Sequence, residues 1–391
     1  MIIHGIPVRL KLNDTILNCI AALASIVAGA LLHFWDTGAR LAGALLFPTG
    51  LLYAKLFFLL AMPLVCLQIV CGVMRHLQER GKAPAKESLW RFHSVNSFGA
   101  ALLGLLAGCI VRFSGLPVFH SVTVHFGLPL LKLFFPCAVL LSVAIGFASV
   151  QAGDAGEDAR RLFRSLTRVS GVTGTLLLKF LPIGLFMLLC PVIALHGVSV
   201  LWLPLKLSAL TLFCCAAYGM LVCGYHLRHC GKDAPRHFMR YFKPVLLQAF
   251  SDAHAEHFEE DTVLRSLQRM GIAGEEARDG FRYGRLFGGA GTVIYCGIAC
   301  MAAAQYAGMG ISFRLAGGVL LWIMLLLQTD LAFHGAGLFC SLTVIIMAGI
   351  RPEAAIPLLL CEWLLGGART VLNTAFAGVG VYLADKLGWM K

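Results

Sequence analysis

Charge is what this sequence has least of. Only 13% of its 391 residues are Asp, Glu, Lys or Arg, where a water-soluble domain carries about 25%. That shortage excludes an ordinary soluble fold, which must cover its core with polar surface. The chain is 59% hydrophobic, with a mean hydropathy of +0.81. Catalytic signatures are absent too: there is no His-Glu-x-x-His, no Gly-x-Ser-x-Gly and no paired carboxylates on one helix face. An enzyme therefore has no support, and no cofactor is expected. No zinc spacing, basic helical stripe or aromatic platform accompanies the net charge of +12, so nucleic acid is not an expected partner. The 14 cysteines fall mostly within apolar stretches, as Cys214, Cys215 and Cys300 do. There they read as small, soft packing residues rather than disulfides.

What is present is a succession of apolar stretches, at about 16–35, 43–71, 95–111, 126–150, 171–198 and 201–225. The first follows Arg9 and Lys11 and ends without a small-residue cleavage site, which predicts a spanning helix rather than a removed signal. Residues 241–272 begin apolar and then turn heavily charged, and about 286–308 are apolar again. Segments 315–329 and 335–350 are separated by the polar break QTDLAFHG, and a last segment covers about 352–384. Lipid admits only helices or closed barrels, and continuous runs of this length predict helices.

The basic residues set the topology. Residues 75–91, 160–168 and 228–243 read as arginine- and lysine-rich loops, whereas the alternate connections hold little more than Arg40, Arg112 and Lys206. The positive-inside rule then puts the N-terminus and these three loops in the cytoplasm. For Arg278, Arg282 and Arg285 to be cytoplasmic, 241–272 must enter and leave on one side; Lys386 and Lys391 ask the same of 311–350. The expected architecture is an all-α polytopic membrane protein with eight transmembrane helices plus two re-entrant helical hairpins, both termini being cytoplasmic.

Arg369 lies near the middle of the last segment. A charge at that depth costs at least about 2.5–3.5 kcal/mol and calls for a partner or a watery cavity. At 100° per residue Glu362, Arg369 and Asn373 share one stripe, with Thr370 beside them. A guanidinium can clamp a carboxylate through two parallel hydrogen bonds; it can equally form a structural ion pair with Glu362 or another segment. Asn373 could serve a substrate or cross-link helices. Gly366 and Gly367 allow close approach by a neighbour or ligand.

With these residues in view, the chain resembles the glutamate/dicarboxylate:cation symporter family. KLFFLLAMPLV at 55–65, LLKFLPIGLF at 177–186 and Arg369-Thr370-x-x-Asn373 are similar to family motifs, in order and at comparable intervals. The resemblance implies inverted repeats, an elevator-type transporter fold and a homotrimer in a bacterial inner membrane. It implies that residues 1–235 are mainly scaffold and trimerisation helices, of which the third and sixth could move with the transport domain, and that 236–391 form the core of that domain. Substrate would lie between the hairpin tips and the last helix, at Arg369, Thr370, Asn373 and Gly366.

The departures from the family bear on coupling. Its Asn-Met-Asp-Gly-Thr interruption, a source of oxygens for sodium, is matched to Ile294-Tyr295-Cys296-Gly297-Ile298, where Cys296 offers only a soft sulfur. The family's aspartates become Ala377, Gly366 and, conservatively, Glu362. Loss of the carboxylate at Gly366 disfavours an ammonium-bearing substrate. At the hairpin tips Asp252, His254, Glu256, His257 and His334 can titrate, with Asp330 a further carboxylate; they could carry protons, or simply face water. The expected function is symport of a small, dicarboxylate-like substrate with a cation, a proton rather than sodium. The alternative is a non-transporting sensor or scaffold derived from the symporter fold.

Overall fold

The computed structural model describes residues 2–3, 6–7, 14–79, 84–113, 129–251, 260–272, 274–327 and 336–389. A two-rung antiparallel ladder pairs β1 (Ile2–Ile3) with β2 (Ile6–Pro7). The other described elements are helices: α1 (Asp14–His33), α2 (Asp36–Glu79), α3 (Pro84–Ile110), α4 (Pro129–Gln151), α5 (Glu157–Lys179), α6 (Leu181–His196), α7 (Trp202–Tyr218) and α8 (Gly224–His229). They continue with α9 (Ala234–Ser251), α10 (Glu260–Arg269), α11 (Glu275–Phe287), α12 (Ala290–Tyr306), α13 (Phe313–Leu327), α14 (Ala336–Met347) and α15 (Ile356–Lys386).

Four stretches are long and apolar enough to cross a membrane: Asp36–Gln78, Glu87–Ile110, Val198–His229 and Ala277–Tyr306. The pair α5–α6, bent by 47°, makes a fifth if it counts as one span. The chain is thus an all-α polytopic membrane protein, with four or five such helices among the described residues. Its outer faces agree with that environment. Leu17, Ile20, Leu23, Val27 and Leu31 form an exposed apolar stripe down α1, while Ala22 and Ser25 on the other side are buried. Such a stripe is costly in water and neutral in hydrocarbon.

Two readings of the sequence need correction. The stretch 171–198 is not one straight helix: α5 stops at Lys179, and Pro182 opens the first turn of α6. Proline lacks the N–H that would continue the ladder, and its ring clashes with the preceding turn. The basic stretches are also helical for most of their length, since 160–168 lies within α5 and 234–243 within α9. Arg160 in particular is buried, and its guanidinium donates to the carbonyls of Ser149 and Gly153 and to Glu157. It ties the α4–α5 turn together.

The helices pack in two groups. In one, α1 and α2 lie on α6, with α4 and α5 against α2; in the other, α3, α7, α13, α14 and α15 pack on α12, with α9 and α11 against α15. Every residue of Ala290–Ala304 is buried, as expected of a helix apolar on all sides. Its contact with α3 is backbone on backbone. A Cβ at Gly104 would overlap the carbonyl of Ile294, and one at Gly297 would come within 2.7 Å of the Leu105 nitrogen. Between helices in lipid there is little hydrophobic gain, so small residues that allow close van der Waals approach hold the pair together. At the far end the Gln305 amide donates to the Gly108 carbonyl (2.7 Å) and accepts from the Phe113 N–H (2.8 Å).

The helix after Trp202 widens into one π-turn, Gly219–Cys223, between α7 and α8. On either side of it, the Tyr218 hydroxyl donates to the Asn96 carbonyl and His226 Nε2 meets Asn96 Oδ1 at 3.0 Å.

Gly104→Ala should therefore lose about 1–3 kcal/mol of stability through overpacking. Gly224→Ala, with nothing within 4 Å of the added methyl, should be neutral or stabilising by up to about 1 kcal/mol. Thermal unfolding of both variants in detergent checks the contrast.

Candidate functional site

Arg369 stands near the middle of α15 and is 5% exposed. Its guanidinium carbon lies 4.5 Å from the ring centroid of Tyr295 on α12, a side chain that is itself fully buried. A desolvated cation over an aromatic face gains up to about 2 kcal/mol, which offsets part of the cost of burial. The first turn of α14 presses on the same group. A Cβ at Gly337 would sit 2.5 Å from Arg369 Nη1 and 2.7 Å from Cζ, so glycine is what lets the guanidinium occupy this place.

The backbone of Arg369 is equally crowded, since a Cβ at Gly291 would come within 2.7 Å of its carbonyl oxygen. Here Asn373 joins α15 to α12. Its Oδ1 accepts the Gly291 N–H at 2.7 Å and its Nδ2 donates to Thr292 Oγ1 at 3.0 Å. The Gly291 N–H is one of the donors that the start of a helix leaves without an internal partner. Of the two roles open to Asn373, the cross-link is the one the structure displays. The Thr370 hydroxyl donates to the Gly366 carbonyl one turn back. Gly367 packs on Phe250 at the end of α9.

The interruption matched to 294–298 falls elsewhere in the structure. Residues 294–298 lie inside the continuous helix α12, and the break comes at Gly288 and Gly289, between α11 and α12. The reason is local: two adjacent glycines carry twice the helix cost of one, and Ile294–Ile298 holds the single Gly297. The scarcity of oxygen survives the shift, since Gly288, Gly289 and Ala290 bear no oxygen side chain and the Thr292 hydroxyl is bonded to Asn373. Their side chains therefore offer few oxygens to a hard cation.

Cys296 is buried within α12; the Ser341 hydroxyl donates to its sulfur at 3.2 Å and its thiol approaches the Gly337 carbonyl at 3.8 Å. Gly337 thus contacts both Cys296 and the Arg369 guanidinium. With Thr292, Cys340 and Val344 it also lines an apolar cavity of about 10 Å³, room for one water at most. Asp252, His254, Glu256, His257, Asp330 and His334 lie outside the described residues, as does the side chain of Glu362. Tyr295, Gly337 and Gly291 were not singled out from the sequence. A tyrosine in an otherwise apolar, all-buried helix was the available signal.

A bundle of apolar helices with a guanidinium enclosed at its centre defines a polytopic membrane protein built around a buried polar site. The profile of the sodium:dicarboxylate symporter family matches residues 132–387, more than half of the chain, and the chain belongs to that family. It is a family of secondary transporters, not of enzymes. The chain is similar to the proton/glutamate-aspartate symporter of Escherichia coli (strain K12), with 23% identity over 400 residues covering 94% of this chain and 91% of that protein.

Asn373→Ala should expose the cross-link. With the Gly291 N–H left unpaired, stability should fall by about 1–3 kcal/mol. Amide hydrogen exchange in a peptide containing Gly291 should quicken relative to one from α1.

Proposed function

We propose that the chain is a secondary active carrier that binds a small dicarboxylate at Arg369 and couples its movement to protons rather than sodium. The observation that carries this reading is the meeting of the Arg369 guanidinium with the first turn of α14. A helix N-terminus is itself a site of positive potential. Two positive features placed together in an apolar bundle favour an anion, and a carboxylate can accept from both. The oxygen-poor break at Gly288–Ala290 supports protons over sodium, as does the name of the proton-coupled relative. Gly366, where the family resemblance expects a carboxylate to hold an ammonium, favours a substrate without one.

On this reading α9–α10 and α13–α14 are two re-entrant hairpins. Of these helices α10, α13 and α14 have 10, 15 and 12 residues, short of the roughly 20 that a span needs. With them go eight full spans in inverted repeats, cytoplasmic termini and an inner-membrane homotrimer. Residues 1–235 are mainly scaffold and 236–391 the core of a transport domain that moves as an elevator. The packing of α3 and α7 on α12 supports counting these two with the moving part. Asp252, His254, Glu256, His257, Glu362 and His334 remain coupling candidates. A sensor or scaffold without transport is the second reading, favoured by the protein-internal bonds of Thr370 and Asn373.

Purified protein in liposomes should accumulate labelled succinate under an inward proton gradient in sodium-free buffer. Arg369→Ala should weaken succinate binding by at least about 30-fold, the cost of losing one member of a buried charge pair. A strict sodium requirement would refute proton coupling, unchanged uptake by the variant would refute the clamp, and no uptake by wild type would favour the sensor.

A further inference from the structure

One buried side chain on α3 has no part in the site just described. His93 is 1% exposed, and neither ring nitrogen has a hydrogen-bond partner among the described residues. Buried polar atoms are seldom left so, and two on one ring call for an explanation. The ring sits in a cradle of glycines. A Cβ at Gly284 or Gly380 would come within 2.9 Å of Nε2, and one at Gly288 within 2.9 Å of Nδ1. Both α11 and α15 therefore present bare backbone to the imidazole, and the break between α11 and α12 runs against it.

The same face of α3 carries Ser97, one turn further on, which is also 1% exposed with an unpartnered hydroxyl. The register in which Gly104 meets Ile294 puts Ser97 level with the helix break. At that level the last carbonyls of α11 lack helical partners and form the negative end of its dipole, a setting that favours a cation. An apolar ring would fill the cradle without leaving a donor and an acceptor idle. A change of protonation during the working cycle gives the nitrogens a use.

We propose that His93 is the proton-carrying side chain of the transport cycle. When the cradle opens to one side of the membrane, a ring nitrogen takes a proton from hydronium, giving imidazolium and water. On the other side imidazolium returns the proton to water. The packing described here holds the neutral ring. This deepens the proton-coupled carrier reading and rests on it.

Among the described residues, ionisable groups stand on each of the surrounding elements. On α3, Glu87 and Arg91 are bonded to each other and exposed. On α11, Arg278, Asp279 and Arg282 are exposed, and Tyr283 and Arg285 flank Gly284. On α12, Tyr295 lies under Arg369. On α15 Tyr382 lies under Lys386, which pairs with Asp385 at the end of the helix. On α7 and α8, Tyr218 and His226 are bonded to Asn96, and the Phe92 ring stands 5.0 Å from both His93 and His226. None of them bonds to a His93 nitrogen.

Two proteoliposome assays on wild type and His93→Gln test the proposal. Exchange of external labelled succinate for internal succinate needs no net proton movement; accumulation under an inward proton gradient does. The variant should keep exchange, while its accumulation falls to the level seen without a gradient. Gradient-driven accumulation equal to wild type overturns the proposal. Absence of exchange in wild type itself refutes the carrier reading and this proposal with it. Should the variant lose both activities, succinate binding and the accompanying proton uptake are followed in unbuffered detergent solution with a pH indicator. Binding without proton uptake supports the assignment to His93, and proton uptake as in wild type overturns it.

Discussion

The bundle depends on how closely α12 can be approached. Helices in hydrocarbon gain little from apolar contact alone, so their cohesion comes from dispersion at short range and from hydrogen bonds between them. Gly104 and Gly297 bring α3 and α12 into backbone contact, and Gly291 does the same for α12 and α15. With the backbones this near, an asparagine is long enough to bridge α15 to the start of α12 and a glutamine to bridge the end of α12 to α3. The aromatic face beneath Arg369 is likewise in range because α12 and α15 touch.

The same closeness gives Arg369 its character. A long, flexible cation could snorkel toward a headgroup layer if its surroundings were loose. Here Tyr295 on one side and Gly337 on the other hold the guanidinium inside the bundle. The charge stays at depth, where an anion interacts with it more strongly than it would in water.

Much of this could be read from the sequence, and the failures have a common cause. Apolar run length located α1, α2, α12 and α15, because a bilayer rewards length and hydropathy directly. Arg369 was legible because a charge amid apolar residues has few innocent explanations. The bend at Phe180 and the helical nature of 160–168 were missed, since charge and composition say little about where a helix ends. The break was set at 294–298 by aligning chemistry, whereas backbone freedom at Gly288–Gly289 decides it. His93 was overlooked because its isolation is a property of three glycines that are distant in sequence.

The π-turn at Gly219–Cys223 has a consequence of its own. Tyr218 and His226 stand eight residues apart, on opposite sides of the widened turn, yet both find Asn96, one at its main chain and the other at its side chain. A one-residue slip of α3 along this helix would break both bonds at once. The extra residue in the turn thus works as a register pin: α3 and the α7–α8 rod can tilt or travel as a unit, but they cannot slide past each other like beads on parallel strings.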